Sequence, residues 1–171
     1  MQLEGKAAVV TGSSSGVGRA VAIGLARRGC SVVVNYNRSR DGAEEAAEIC
    51  RSAGAGAVAV RADVSVDADC RRLVGAAVDA FGRLDVLVNN AAVTEFVPFG
   101  DLEGLTEDIW LKVLRTNLLG AFFCSRAAVP PMRQSGGGAI VNVVSIAGFL
   151  GGGSSIAYAA SKAAVINMTK C

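Results

Sequence analysis

The sequence has no histidine, and its five cysteines (Cys30, Cys50, Cys70, Cys124, Cys171) form no CxxC pair. A zinc site is therefore not expected. The cysteines are odd in number and widely spread, as small buried hydrophobes in a reducing compartment would be. Aromatic residues are scarce, at 5%, so no large aromatic core is expected. No apolar run reaches membrane-spanning length, and Met1-Gln2-Leu3-Glu4-Gly5-Lys6 lacks a charged-then-apolar signal pattern. The expected location is cytoplasmic. Neither charge sign dominates: 17 basic and 15 acidic residues leave a net charge of +2. No basic cluster is interleaved with aromatics, so neither nucleic acid nor a membrane surface is an expected partner.

What the chain has is small and apolar. Half of its residues are hydrophobic, with Ala and Val plentiful and 21 glycines among 171 residues. That mix suits helices packed closely on a sheet, and the length suits a single domain over 1–171. The pattern alternates strand and helix. Strands are expected at Ala7–Thr11, Ser31–Tyr36, Ala57–Arg61, Asp85–Asn89 and Ala139–Val144. Helical spacing of apolar residues falls in Gly16–Arg28, Asp41–Ser52, Val66–Phe81 and the long stretch Thr106–Met132, with a break expected near Pro130-Pro131. A Gly-rich loop at 148–153 leads to a last helix from about Ser155. Strands apolar on both faces imply a parallel sheet covered on both sides. The expected fold class is α/β, a Rossmann-type doubly wound parallel sheet that binds ligands at the carboxyl ends of its strands.

The first strand runs into Thr11-Gly12-Ser13-Ser14-Ser15-Gly16-Val17-Gly18. A helix that starts directly after a strand offers free backbone N–H groups and its dipole to an anion such as pyrophosphate. Glycine lets the backbone turn tightly and approach the phosphates. The spacing is TGxxxGxG, not GxGxxG, and in isolation such a loop reads equally well as turn glycines. Two other strand ends carry polar residues: Asp63-Val64, where an acid can meet an adenine amino group, and Asn89-Asn90-Ala91. Each is also an ordinary turn residue set.

Tyr158 and Lys162 are four residues apart on the last helix, hence on one face. Ser145 ends the fifth strand, so it lies on the same rim of the sheet. Reducing a carbonyl needs a hydride from one side and a proton from the other. A phenol is a poor proton shuttle at neutral pH unless an ammonium nearby favours its anion. Lys162 can supply that charge and hold ribose hydroxyls, while Ser145 can hydrogen-bond the carbonyl oxygen. Asn117 is an awkward residue inside a helix and can support a water relay from Lys162. From the residues alone it reads better as a surface or kink amide.

Together these motifs resemble the short-chain dehydrogenase/reductase family, nearest in appearance to 3-oxoacyl-(acyl-carrier-protein) reductases and glucose dehydrogenases. TGxxxGxG at 11–18, Asp63, Asn89-Asn90-Ala91, Asn117, Ser145 and Tyr158-xxx-Lys162 follow that family's order. The resemblance implies a catalytic tetrad of Asn117, Ser145, Tyr158 and Lys162. It implies a cofactor site at Gly12, Ser14, Ser15, Gly16, Val17, Gly18, Asn37, Arg38, Asp63, Val64, Asn90 and Ala91, joined by Tyr158 and Lys162, with no metal. It also implies a carbonyl or alcohol substrate and a homo-oligomer, commonly a tetramer. Two departures stand out. Ala92 replaces the glycine that usually follows Asn-Asn-Ala, and the chain stops at Cys171, before the family's later strands and substrate helices. A fragment of a longer protein is the expectation, with a non-catalytic nucleotide-binding module as the alternative for the 171-residue chain itself.

The end of the second strand bears on which dinucleotide is held. An acid there accepts hydrogen bonds from a free ribose 2′-hydroxyl and repels a 2′-phosphate. Here the segment is Asn35-Tyr36-Asn37-Arg38-Ser39-Arg40, with no acid before Asp41. Arg38 can pair bidentately with a phosphate. NADP(H) is expected over NAD(H), although Ser15 is uncharged where NADP-dependent relatives often carry a second base. An NAD-dependent sugar or alcohol dehydrogenase is the competing reading.

Overall fold

The expected apolar runs become five parallel strands in a computed structural model that describes residues 2–171. In chain order these are β1 (Ala7–Val10), β2 (Ser31–Tyr36), β3 (Ala57–Arg61), β4 (Val86–Asn89) and β5 (Ala139–Asn142). Between them lie α1 (Gly16–Ala26), α2 (Arg40–Ser52), α3 (Asp67–Phe81), α4 (Glu107–Leu114) and α5 (Gly120–Gln134), then α6 (Ala147–Leu150) and α7 (Ile156–Met168). The sheet order is β3-β2-β1-β4-β5. Chain order reverses between β1 and β4, the kind of switch point beside which open α/β sheets hold ligands at the carboxyl ends of their strands.

Successive strand residues face opposite sides of the sheet, so an uninterrupted valine run feeds two cores. Val10, Val32, Val34, Val86 and Val88 pack against alanines of α1 and α2 (Ala22, Ala26, Ala43, Ala46, Ala47). Val9, Val33 and Leu87 pack on the other side against Leu73 and Ala77 of α3 and Cys124, Ala128 and Met132 of α5. Each fully buried valine or leucine contributes about 1.5–3 kcal/mol. Alanine at the helix contacts lets the backbones approach the sheet closely.

The long helical stretch differs from expectation in two places. It does not break at Pro130-Pro131; both prolines lie inside α5, which runs on to Gln134. Each proline removes one helical N–H donor, but the buried contacts of Ala128 and Met132 hold that turn against the sheet-side core. The irregularity sits earlier, where Arg115–Leu119 forms a π segment between α4 and α5. The segment expected to be a glycine loop at 148–153 begins instead with the helical turn α6. The Ala147 N–H donates to Ser145 Oγ and the Gly148 N–H to the Ser145 carbonyl, which starts that turn. Strand and helix ends otherwise shift by one or two residues, as at Thr11, Arg28 and Val144, where hydrogen-bonded ladders fray. No helix among the described residues is long and apolar enough to cross a membrane.

Candidate active site

Thr11 to Gly18 fill the bend from β1 into α1. Gly12 has φ +62°, and a Cβ there would stand 2.9 Å from the Ala91 Cα, so both conformation and space require glycine. Gly18 is needed for space alone: a Cβ would lie 2.6 Å from the Gly12 carbonyl oxygen and collide with the Asn90 amide. Ser15 precedes α1 with extended backbone and gives no side-chain cap. The first-turn N–H groups of α1 therefore keep their capacity for an anion. Val17 stands 63% exposed on that turn.

Asn90 locks this loop to the end of β4. Its Nδ2 donates to the carbonyls of Thr11 and Gly12 at 2.9 and 3.1 Å. Thr11 Oγ1 accepts from the Asn90 and Ala91 N–H groups, both at 2.9 Å. Asn35, buried at the end of β2, locks the loop from the other side. Its Oδ1 accepts the Gly12 N–H at 2.9 Å, and its Nδ2 reaches the carbonyls of Tyr36, Val60 and Ala62. Ser13 completes the brace: its N–H donates to the Asn35 carbonyl, and its Oγ accepts the Asn35 N–H at 2.9 Å. Thr11 and Ser13 were read only as members of the glycine loop and Asn35 only as the start of the segment after β2, so none was expected as a site residue. Their signal is burial, which sequence does not show. Ala92 fits without strain, since no non-glycine residue among those described has positive φ.

At the next strand ends, Asp63 accepts from the Ser65 N–H and Oγ and from Asn37 Nδ2. Burial alone would raise its pKa, but these bonds outweigh burial and the Asp69 charge, holding the carboxyl below its ordinary value. Val64 is buried beside Gly120, where a Cβ would meet it at 2.9 Å. Arg38 is exposed at the start of the β2–α2 loop and pairs with no carboxylate among the described residues.

Ser145 follows β5, and Tyr158 and Lys162 lie on α7. Ser145 Oγ accepts the Ala147 N–H at 3.2 Å, which leaves its own proton available to an incoming oxygen. Ser155 caps α7 by accepting the Tyr158 N–H at 3.3 Å, fixing where that helix begins. Lys162 is only 4% exposed and has no carboxylate partner among the described residues. Its Nζ donates to the Val143 carbonyl at 2.8 Å and lies 5.8 Å from the centre of the Tyr158 ring. Burial pushes its pKa below the ordinary lysine value.

Asn117 lies within the π segment, and its amide is buried. A π turn inserts one residue and re-aims the side chain inward. Asn117 Oδ1 accepts the Val93 N–H at 2.8 Å, and Nδ2 donates to the Val93 carbonyl at 3.0 Å and to Ser161 Oγ at 2.9 Å. Its side chain thus joins the loop after β4 to α7, one residue from Lys162, and does not bond the lysine itself. Of the catalytic candidates, the structure brings Lys162 near the Tyr158 ring, while Ser145 lies just beyond β5. The glycine positions that a Cβ would close fit a dinucleotide.

The model of the short chain dehydrogenase family matches residues 6–171. A granaticin polyketide synthase protein of Streptomyces violaceoruber, described as ketoacyl reductase 2, is 49% identical over 92% of this chain and 62% of its own. A 3-oxoacyl-(acyl-carrier-protein) reductase of Staphylococcus epidermidis is 39% identical over 96% of this chain and 66% of its own. A short-chain dehydrogenase/reductase structure from Burkholderia xenovorans superposes with a TM-score of 0.93 at 40% identity, covering 96% of this chain and 69% of that one. The chain thus spans 62–66% of the length of these two curated relatives. With the fold, the loop and the family model in agreement, the chain belongs to the short-chain dehydrogenase family.

Proposed function

We propose that the protein is an NADP(H)-dependent oxidoreductase interconverting a carbonyl and a secondary alcohol, with Tyr158 as the acid and base. The observation that carries this reading is Lys162: a buried ammonium without a counter-ion among the described residues, 5.8 Å from the Tyr158 ring. The bound nicotinamide supplies the hydride. Ser145 donates a hydrogen bond to the substrate oxygen and orients it. Tyr158 gives its proton to that oxygen during reduction and recovers it in oxidation. Lys162 stabilises the phenolate and can hold ribose hydroxyls. Asn117 keeps α7 in register with the loop after β4.

The cofactor is held by the α1 N-terminus, with Ser14 to Gly18 at the pyrophosphate and Asp63-Val64 at the adenine. Asn90-Ala91 borders the glycine loop. Arg38, free of any carboxylate among the described residues, favours a 2′-phosphate. A carbonyl substrate also fits the ketoacyl reductase relatives. Four buried free thiols suit a cytoplasmic setting, and exposed Leu111, Leu119 and Phe122 on the α4–α5 stretch suit a homo-oligomer.

The test is a coupled measurement of NADPH and NADH binding and of ketone, oxoacyl thioester and sugar turnover. Arg38→Asp should turn the preference from NADPH toward NADH. An unchanged preference would contradict the cofactor reading, and binding without turnover on every substrate would leave a nucleotide-binding module.

A further inference from the structure

We infer that Arg61 is a specificity residue for the same site, a second cation beside Arg38 for the phosphate on the ribose 2′ position. The inference rests on the NADP(H) reading above and adds a residue from a different strand. Arg61 is the last residue of β3 and pairs in register with Tyr36, the last residue of β2. Its guanidinium turns back over the β2–α2 loop, where Nε donates to the Asn37 carbonyl at 3.3 Å. The planar fork is therefore anchored by one edge, next to Arg38 in the chain. Its two Nη groups make no hydrogen bond or ion pair among the described residues.

The surroundings favour an anion there. Arg19, Arg51, Arg71, Arg72, Arg83 and Arg126 all find a carboxylate. Arg38, Arg40 and Arg61 find none among the described residues, as is also true of Arg27, Arg28, Arg115 and Arg133, but these three lie at one short loop. Neighbouring carboxylates have closer partners: Asp63 accepts from Asn37 and Ser65, and Asp69 from Arg72 and the Asp63 N–H, so Asp69 feels the Arg61 charge without pairing with it. Asp41, in the first turn of α2, pairs with none of the three. Like charges held together repel, and a doubly charged phosphate relieves that repulsion. The cluster also borders the cofactor cradle. Gly42, in the same turn, lies so close to the glycine loop that a Cβ would stand 2.8 Å from the Ser14 carbonyl oxygen.

A purely supporting role for Arg61, bracing the Asn37 carbonyl, would affect both dinucleotides alike. A phosphate contact would affect only one. The test is calorimetric titration of the protein and its Arg61→Gln and Arg38→Gln variants with NADPH, NADH, 2′,5′-ADP and 5′-ADP. Arg61→Gln should weaken NADPH and 2′,5′-ADP by about tenfold and change NADH and 5′-ADP by less than about twofold. Equal losses on both pairs, or no loss on either, would overturn the inference. Discrimination abolished by Arg38→Gln but kept by Arg61→Gln would overturn it while leaving the cofactor reading intact. A native protein that binds 2′,5′-ADP no better than 5′-ADP would overturn the cofactor reading and this inference together.

Discussion

The Asn117 amide donates to the Ser161 hydroxyl at 2.9 Å, and Ser161 immediately precedes Lys162 on α7. The same amide holds both backbone groups of Val93. One side chain therefore fixes the spacing between the loop after β4 and the helix that carries Tyr158.

Replacing Asn117 by alanine should therefore act on geometry more than on cofactor affinity. It leaves the Val93 N–H and carbonyl without their buried partner. We expect turnover to fall about a hundredfold, as for a small displacement of reacting groups, with the cofactor Kd within about threefold. Steady-state kinetics beside calorimetric titration checks this. A Kd that rises as far as kcat falls would mean that Asn117 serves the cofactor cradle instead.

Gly18→Ala should disable the cradle. The residue is helical without positive φ, so alanine suits the backbone and the penalty is contact alone. The added methyl would meet the Gly12 carbonyl oxygen at 2.6 Å and displace Asn90. Dinucleotide affinity should fall by more than about tenfold, while far-ultraviolet circular dichroism stays native. Undiminished binding would show that the loop can shift at little cost.

Asp85 supports the opposite end of the sheet and should govern acid stability. Its buried carboxylate accepts from Arg83 Nε and Nη2, each at 2.7 Å, and from the Ala7 N–H at 2.9 Å, with Lys6 Nζ at 3.2 Å. Burial alone would raise its pKa, but Arg83, Ala7 and Lys6 outweigh burial and hold it below the ordinary value. A depressed folded-state pKa contributes stability that is fully present above about pH 4 and lost as pH falls through that folded value. Asp85→Asn should destabilise the protein at pH 7, because Arg83 and Lys6, each about a third exposed, lose their shared partner. Urea unfolding of both proteins at pH 7 and at pH 3 checks the sign. The gap between them should narrow in acid, and a gap that widens would contradict this assignment.

Much of this was legible in the sequence because strand and helix signals here are compositional. Val32-Val33-Val34 cannot bury both faces except inside a covered parallel sheet, and alanines at helical spacing mark what covers it. The short-range motifs were legible as well: the glycine loop, Tyr158 with Lys162, and Ser145 at a strand end. What the sequence concealed depends on register and burial. The π segment at Arg115–Leu119 has no residue signature, yet it turns the Asn117 amide inward. Pro130-Pro131 looked like a helix end and is not one, because tertiary packing on α3 outweighs two missing donors. Asn35 gave no signal of its own in the sequence, and its buried Oδ1 accepts the Gly12 N–H. The side chain of Arg61 crosses to a neighbouring strand end, a contact that only the β2–β3 register creates.

The most direct measurement of the central claim is turnover by Tyr158→Phe, made with cofactor binding on the same preparation. Removing one hydroxyl removes the proton donor but leaves the ring, Lys162 and the glycine loop in place. The account predicts a fall in kcat of about a thousandfold or more, with NADPH affinity within about threefold. Undiminished ketone reduction by a variant that still binds NADPH would contradict it.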